Sequence, residues 1–369
     1  MSGSEKYAVN EGFVSSFHGQ LGCISCHGGN NLSDQAKAHE GLVADPSAIE
    51  GGVCADCHNE VAETFKNSLH YTTKGQALGL EALSHVGAVY GGSHLQVDQL
   101  VETFEGECHA CHATCGQCHI SRANSITGGL IDGHNFLKTP NAEVACYSCH
   151  GARSAGEYLG NVAGVPTMAD VHWKNAQMEC ADCHPVSNFH GTGEDETEKF
   201  KLAELPQCID CHADALPGQG DILAHNVHPE DTLQCQVCHS VAYNNCWDCH
   251  VSLTPEGTYG SKSSNKLAFK IGLNPERNEQ HPWKYILVRH VPTVNNMLAA
   301  KGEGLLTNFE NIPNWKMTAA HNIQRRTPQN INCNKCHGNA RLFLTEKDLI
   351  ATDPAANMEL VVKEVPAKM

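Results

Sequence analysis

Cysteine and histidine recur in this chain in one fixed order, Cys-x-x-Cys-His. The stretch from Cys108 to His119 holds two copies, whose first cysteines are seven residues apart. This spacing suits covalent attachment of c-type haem, because two nearby thiols can add to one porphyrin and the adjacent histidine can bind its iron. Two copies so close together predict two haems that lie nearly in contact.

The motif occurs ten times and uses all 20 cysteines of the 369-residue chain. The predicted attachment cysteines are Cys23, Cys26, Cys54, Cys57, Cys108, Cys111, Cys115, Cys118, Cys146, Cys149, Cys180, Cys183, Cys208, Cys211, Cys235, Cys238, Cys246, Cys249, Cys333 and Cys336. The predicted proximal iron ligands are His27, His58, His112, His119, His150, His184, His212, His239, His250 and His337. We therefore expect ten covalently attached haems c.

Disulfide scaffolds and zinc-ribbon arrays also use closely spaced cysteines. Neither requires a histidine after every cysteine pair, so the sequence disfavours both. Because the ten motifs use every cysteine, none is left for a disulfide, a zinc site or a thiol nucleophile.

Of the 24 histidines, ten stand in motifs and 14 remain. A haem iron held by two imidazoles has no open position, so it passes electrons without binding substrate. The predicted distal ligands are His18, His39, His70, His134, His172, His190, His225, His228, His290 and His321, with His85, His94, His109 and His281 in reserve. The spacing of His225 and His228 allows one helical turn to serve two haems.

Hydrophobic residues make up 41% of the chain and aromatic residues only 6%, slightly below the roughly 45–50% apolar content of ordinary domains. Porphyrin faces would supply the missing apolar bulk. The predicted fold is mostly irregular or loop, with short α-helices and few β-strands around a core of stacked haems. We expect one domain over 1–369, with nine haems in 1–250, a haem-free insertion in 251–332, and the last haem and C-terminal tail in 333–369.

The haem-free insertion is the region best able to form ordinary secondary structure. Residues 266–272 and 283–289 alternate between apolar and polar types, and Asn274-Pro275 separates them. This pattern predicts a small antiparallel pair of strands. Residues 358–362 are a candidate for a terminal strand.

The formal net charge is −16, which argues against a nucleic-acid partner and suits cationic partners, metal ions or minerals. No apolar run reaches the roughly 18 residues of a transmembrane helix, and the N-terminus does not read as a signal peptide. Because haem c is attached outside the cytoplasm, we expect an exported protein. It would be extracellular or at the cell surface, with the periplasm as the alternative.

The motif set resembles the multihaem c-type cytochromes of metal-respiring bacteria and archaea. The resemblance rests on the ten motifs and on the stretches Ser16-Phe17-His18, Ser68-Leu69-His70-Tyr71, 114–122 and 288–292. It implies an electron conduit to extracellular metal or mineral acceptors, with other cytochromes or copies of itself as partners. Because some relatives form filaments in which the next subunit supplies a histidine, His18 is the candidate donor in a homopolymer.

Two other functions stay open from the sequence. A multihaem reductase of a nitrogen or sulfur oxyanion, or of a metal, would need one five-coordinate haem, with Arg289, Lys284, Arg325 and Arg326 as candidate anion-binding residues. The Cys-x-x-Cys-Lys site typical of nitrite and tetrathionate reductases of this kind is absent, so we assign no catalytic residues. The third function is a periplasmic subunit that docks onto a membrane quinone oxidase or an outer-membrane porin.

Overall fold

The chain folds as two compact units in a computed structural model, which describes residues 9–48, 52–84, 98–123, 126–202, 204–247, 265–291 and 293–369. The first unit comprises Met1–Gln76, Cys108–His150 and Glu179–Leu205, and the second comprises Ala77–Glu107, Gly151–Met178 and Pro206–Met369. The first unit contains motifs one to six, and the second contains motifs seven to ten. The single domain and its division at residues 250 and 332 stay predictions.

Short helical turns joined by irregular segments make up the first unit. Its α-helices are Glu11–Ser15, Phe17–Gln20, Cys23–His27, Gln35–Ala38, Gly52–Ala55, Asn59–Phe65, Leu69–Thr72, Cys115–His119, Tyr147–His150, Cys180–Cys183 and Ser187–His190, with a 3₁₀ turn at His109–Cys111 and a π turn at Ala142–Cys146. Ser16, Ser68 and Thr114 each begin a helix by accepting a hydrogen bond from a backbone N–H three residues later. Such N-caps satisfy N–H groups that have no partner within the helix.

The α-helices of the second unit are Asp98–Thr103, Ser154–Leu159, Val171–Ala176, Leu223–Asn226, Cys235–His239 and Cys333–Cys336. Its 3₁₀ turns are Cys208–Asp210, Ala213–Ala215, Phe309–Asn311, Ala340–Leu342, Glu346–Asp348 and Ala355–Glu359. The chain passes from one unit to the other at several points. One lies within the α-helix Lys74–Ser84, and another lies in the π turn Phe104–Cys108. None of the described helices is both long and apolar enough to cross a bilayer.

The described residues of the second unit form seven short strands: β1 Asn161–Val162, β2 Val165–Pro166, β3 Tyr243–Cys246, β4 Asn265–Ala268, β5 Ile271–Leu273, β6 Tyr285–His290 and β7 Trp315–Met317. All pairs are antiparallel, in the orders β1-β2, β3-β4 and β5-β6-β7. Strand β3 carries the first cysteine of the ninth motif at its end. It is paired so that Cys246 lies opposite Asn265.

The strands of the second unit enclose an ordinary apolar core. One cluster is built around Tyr243, Ile271 and Leu287, and another is built around Val288 and Trp315, all at most 1% exposed. Among the described residues of the first unit, the buried apolar side chains are Phe65, Ala123, Ala142 and Ala145. The unit with six motifs therefore has much less polypeptide core than the unit with four.

The predicted fold class is confirmed, because the described chain is mostly irregular with short helices and few small strands. Ile271 of β5 pairs with Leu287 of β6 across the Asn274-Pro275 connection, as the alternating pattern predicts. Residues 266–268 instead pair with β3, since the chain breaks its strand before Ile271. The strand proposed for 358–362 is wrong: this segment begins in a 3₁₀ turn, and Leu360, Val361 and Val362 are buried in the core.

Candidate functional site

Six of the motif histidines are oriented by a hydrogen bond at the ring nitrogen Nδ1. The Nδ1 atoms of six proximal histidines each contact an oxygen atom: His27 at Val43 O (2.7 Å), His112 at Tyr71 O, His119 at Leu137 O (2.6 Å), His184 at Asn188 Oδ1 (3.1 Å), His239 at Gln324 O (3.1 Å) and His337 at Ala367 O (3.0 Å). When Nδ1–H donates to such an oxygen, the lone pair of the ring lies on Nε2. This arrangement orients histidines that bind metals.

Four motif histidines of the first unit face a second imidazole. The ring centroids are 6.2 Å apart for His18 and His58, 6.1 Å for His27 and His134, 6.2 Å for His70 and His150, and 6.0 Å for His119 and His190. In each pair, one histidine follows a Cys-x-x-Cys motif and the other belongs to the predicted distal set.

In the described part of the second unit, three pairs of histidines have the same separation. The ring centroids are 6.0 Å apart for His172 and His212, 6.1 Å for His225 and His239, and 6.3 Å for His228 and His337. The helix Leu223–Asn226 and the residues that follow it thus present two rings to two different motifs. This is the arrangement that the three-residue spacing of His225 and His228 predicts.

The separation in these seven pairs matches the geometry of one metal between two rings. A metal–imidazole bond is about 2.0–2.1 Å long, so two rings on opposite sides of one metal have centroids roughly 6.3 Å apart. Rings in direct stacking contact lie closer, as His109 and His112 do at 4.7 Å. The seven pairs therefore have the centroid separation expected of two imidazoles that share one iron.

Several apolar side chains beside the motifs are exposed to solvent in the polypeptide alone. This is expected if an attached porphyrin covers them. They include Phe17 (73% exposed), Ile24 (47%), Val186 (67%), Leu223 (73%) and Ile331 (66%), each within six residues of a motif or a paired histidine. Exposed apolar groups that cluster on a surface commonly mark a site where another apolar group binds. A porphyrin attached at the motifs would cover them, so these residues fit haem.

Burial keeps several of the paired imidazoles neutral. Burial and the nearby His150 lower the pKa of His70 to about 4, and burial also lowers the pKa values of His150, His190 and His239. Only a neutral imidazole has a lone pair for a metal, so these rings are in the binding form near pH 7.

Cysteines of different motifs approach one another in the first unit. A hydrogen bond with Cys54 lowers the pKa of Cys115 to about 7. A hydrogen bond with Cys149 lowers the pKa of Cys111 to about 6. A third such bond joins Cys146 of the fifth motif to Cys180 of the sixth. The attachment points of these motifs are therefore neighbours.

The second unit contains similar contacts between motifs. Cys208 of the seventh motif is hydrogen-bonded to Cys235 of the eighth. Burial, followed by the nearby Cys336 of the tenth motif, raises the pKa of Cys238 to about 11. All 19 described cysteines are free of disulfides, and Cys249 and His250 of the ninth motif lie outside the described residues.

Three predicted distal histidines have other surroundings. His39 is exposed at the end of the helix Gln35–Ala38. His290 is buried, with Nδ1 at 2.7 Å from Cys246 O and Nε2 at 3.0 Å from Asp353 Oδ1. Neither nitrogen of His290 is available to iron in this arrangement, so we leave it out of the ligand set proposed below. His321, whose Nδ1 contacts Ala319 O at 2.8 Å, stays a prediction.

The reserve histidines are divided between described and undescribed parts of the chain. His85 and His94 lie outside the described residues. His109 stacks on His112, and its Nδ1 lies 3.1 Å from Thr73 Oγ1. His281 is buried next to Trp283, with ring centroids 5.6 Å apart. The histidines opposite His112 and His184 are therefore not assigned.

The candidate anion-binding residues of a reductase do not come together around an open site. Arg289 is 5% exposed and forms an ion pair with the buried Glu157. Lys284 is exposed, with Nζ over the Tyr285 ring at 5.2 Å, and Arg325 and Arg326 are exposed.

A sequence signal marks three of the paired distal histidines. His18, His70 and His172 each stand two residues after the N-cap of a short helix, and the caps are Ser16, Ser68 and Asp170. The pattern of a capping residue, an apolar or aromatic residue and then histidine places the ring on the first turn of the helix. The pattern does not identify which motif histidine lies opposite.

The model of the family "Cytochrome c554 and c-prime" matches residues 186–240. This segment contains motifs seven and eight together with His190, His225 and His228. The crystal structure of octaheme cytochrome c from Shewanella oneidensis aligns with 85% of this chain and 95% of its own, at 15% identity and a TM-score of 0.44. Among curated proteins, none matches the sequence. The ten motifs and the family match together support a multihaem c-type cytochrome.

Proposed function

We propose that this protein is an electron-transfer conduit, in which covalently attached haems c, ten in number, carry electrons to an acceptor outside the cell. The observation that carries this proposal is the set of seven opposed imidazole pairs, with ring centroids 6.0–6.3 Å apart. An iron with two imidazole ligands has no position open to substrate. Such a site favours electron transfer over catalysis.

The chain's own residues hold and tune these sites. Haem iron supplies the one-electron chemistry, and the protein sets its potential through ligands, hydrogen bonds, burial and charge. Carbonyl groups such as Val43 O and Leu137 O fix the tautomer of the motif histidines. The lowered pKa values of His70 and His150 favour the neutral form of two opposed rings, which is the form that binds iron.

Contacts between attachment cysteines support short steps between neighbouring haems. In the first unit they connect motif two with four, three with five, and five with six. In the second unit a contact connects motif seven with eight, and Cys336 of motif ten is near enough to Cys238 of motif eight to raise its pKa. Motif five has two such neighbours, so the proposed path runs from motif three through motif five to motif six and does not follow the order of the sequence.

The finer parts of the proposal concern location and partners. Covalent attachment of haem c outside the cytoplasm supports export, and the net charge of −16 suits metal or mineral acceptors and cationic protein faces. Assembly with other copies of the chain or with other cytochromes belongs to the same proposal. Because His18 faces His58 of its own chain, a filament would need a different histidine to bridge subunits.

Electron paramagnetic resonance of the oxidised protein tests the function. The proposal predicts signals of low-spin iron with two imidazole ligands and no change on adding nitrite. A high-spin ferric signal of about one haem in ten that shifts when nitrite is added would contradict the conduit and favour a reductase.

A further inference from the structure

The distal histidine of the seventh motif has a carboxylate at one ring nitrogen. The Nδ1 atom of His172 lies 2.8 Å from Oδ1 of Asp170, whose side chain is 2% exposed. An ionised carboxylate can only accept hydrogen bonds, so Nδ1–H is the donor and the lone pair of the ring lies on Nε2. The ring centroid is 6.0 Å from that of the motif histidine His212. The carboxylate therefore lies on one side of a ring that has its iron-binding nitrogen on the other.

Asp170 is also the N-cap of the helix Val171–Ala176, and this role fixes its position. Oδ1 accepts a hydrogen bond from the backbone N–H of His172 at 2.8 Å, and Oδ2 accepts one from the backbone N–H of Ile323 at 2.7 Å. The backbone N–H of Val171 donates in turn to Ile323 O at 3.0 Å. Two backbone N–H groups therefore hold the carboxylate against the ring of His172.

No basic side chain balances the charge of Asp170. Its ion-pair contact is with His172, and no lysine or arginine of the described residues lies within ion-pair distance of its carboxylate. An imidazole that binds a metal through Nε2 and keeps its proton on Nδ1 is neutral. Backbone N–H groups stabilise a carboxylate without cancelling its charge. A buried negative charge therefore stays beside the proposed ligand.

Other histidines of the candidate site have uncharged groups in the corresponding places. The helices that carry His18 and His70 begin at Ser16 and Ser68, whose hydroxyl groups carry no charge. The Nδ1 atom of His239, the motif histidine of the eighth motif, contacts a backbone carbonyl oxygen at 3.1 Å. The charged acceptor distinguishes the seventh motif from these sites.

We infer that Asp170 lowers the reduction potential of the haem held by His172 and His212, acting through its hydrogen bond to the distal ring. The inference rests on the proposed function. A charged acceptor at Nδ1 makes the imidazole a more basic ligand. A haem iron carries one more positive charge when it is oxidised than when it is reduced. A more basic ligand and a buried negative charge therefore both stabilise the oxidised form.

The effect bears on electron transfer because the seventh and eighth motifs are neighbours, with Cys208 hydrogen-bonded to Cys235. A change in the potential of one haem changes the driving force of the step between the two. The adjacent residues Ile323 and Gln324 contact both sites, since Ile323 binds the N-cap carboxylate and Gln324 O contacts Nδ1 of His239. Asp170 is thus a positioning residue that sets the strength of an iron ligand.

Asp170→Asn tests the inference, because asparagine is an equally good N-cap and offers an oxygen to Nδ1 but has no charge. In a redox curve recorded by spectroelectrochemistry, about one-tenth of the haem absorbance change, one haem of ten, should move to higher potential. Asp170→Ser also caps the helix without a charge and should move the same component in the same direction.

Asp98→Asn is the matched control, since it makes the same substitution at the beginning of another short helix of the second unit. The carboxylate of Asp98 is exposed, so solvent and salt screen its charge. Its redox curve should equal that of the wild type. The oxidised Asp170→Asn protein should keep the low-spin signals of the wild type in electron paramagnetic resonance, because His172 remains a ligand.

A Cys208→Ala/Cys211→Ala variant assigns the component, because it cannot attach the seventh haem by thioether bonds. Asp170→Asn should leave the redox curve of that variant unchanged. The inference is overturned if the Asp170→Asn curve superposes on the wild type, if a component moves to lower potential, or if the shift persists without the two cysteines. Haem counting by mass spectrometry precedes these measurements. A wild-type count far below ten contradicts the proposed function, whereas ten haems with an unmoved curve contradict the inference alone.

Discussion

The imidazole rings of His228 and His337 have centroids 6.3 Å apart and planes inclined by 37°, although distant parts of the sequence supply them. Three residues before His228, His225 faces His239 at 6.1 Å. One short turn of chain therefore provides a second ring to two different Cys-x-x-Cys-His motifs. The gap in each pair is too wide for ring stacking and has the size that one iron requires.

Replacement of His228 by alanine should open the sixth position of one haem. We expect about one haem in ten to change from low spin to high spin, because the imidazole opposite His337 is lost. Electron paramagnetic resonance of the oxidised protein measures the change. Glu230→Ala is the control, since this exposed side chain stands two residues after His228 and has no ring that could bind iron, and its spectrum should equal the wild type. Equal spectra for both variants would contradict the assignment of His228.

His18 should bind within its own chain, because its ring lies 6.2 Å from that of His58. The low-spin signal of the wild-type protein should then not depend on protein concentration, while His18→Ala should lose one low-spin haem at every concentration. Spectra recorded across a dilution series that ends at a monomer provide the measurement. High-spin iron that appears only on dilution of the wild type would show that a neighbouring subunit donates His18.

A cavity in the apolar core around the strands of the second unit should lower the stability of that unit. Leu287 of β6 is 0% exposed, and Leu287→Ala should lower the free energy of unfolding by about 2–5 kcal/mol, as is typical of buried leucines. Leu267→Ala is the matched control, since Leu267 of β4 is 45% exposed. Denaturant unfolding followed by tryptophan fluorescence compares the two variants. Equal midpoints for both would contradict the described packing of β6.

Removal of haem should affect the two units unequally. The first unit buries few apolar side chains of its own, whereas the second contains two apolar clusters around Tyr243, Leu287 and Trp315. In chain produced without haem attachment, we expect slow amide exchange at β5–β7 and fast exchange throughout the first unit. Hydrogen exchange read by mass spectrometry distinguishes these outcomes. Slow exchange in the first unit would mean that its fold does not depend on haem.

The sequence predicts the type of this fold and much of the candidate ligand set. Ten repeated motifs indicate short helical turns and little apolar core, and the helices Cys23–His27 and Cys115–His119 follow that expectation. The spacing of His225 and His228 is a local property, so sequence alone predicts that they serve two motifs. The alternating residues of β5 and β6 likewise predict their pairing.

Contacts between residues that are far apart in the sequence cannot be predicted from such local patterns. His290 has the same type and a similar local context as the paired histidines, but Asp353 and Cys246 O take its two nitrogens. From the sequence, Arg289 is a candidate to bind an anion, but in the structure it forms an ion pair with Glu157. The apolar run that ends at Val362 suggests a strand, yet its side chains fill the core without a partner strand in the described chain.

The central claim is that the motifs carry ten haems and that these form the working part of the protein. Mass spectrometry of the intact protein, followed by digestion and peptide mapping, tests this most directly. The account predicts a chain mass increased by ten haems, with thioether-linked haem on every Cys-x-x-Cys-His peptide. Far fewer than ten haems, on a chain that is nevertheless compact and fully folded, would contradict it.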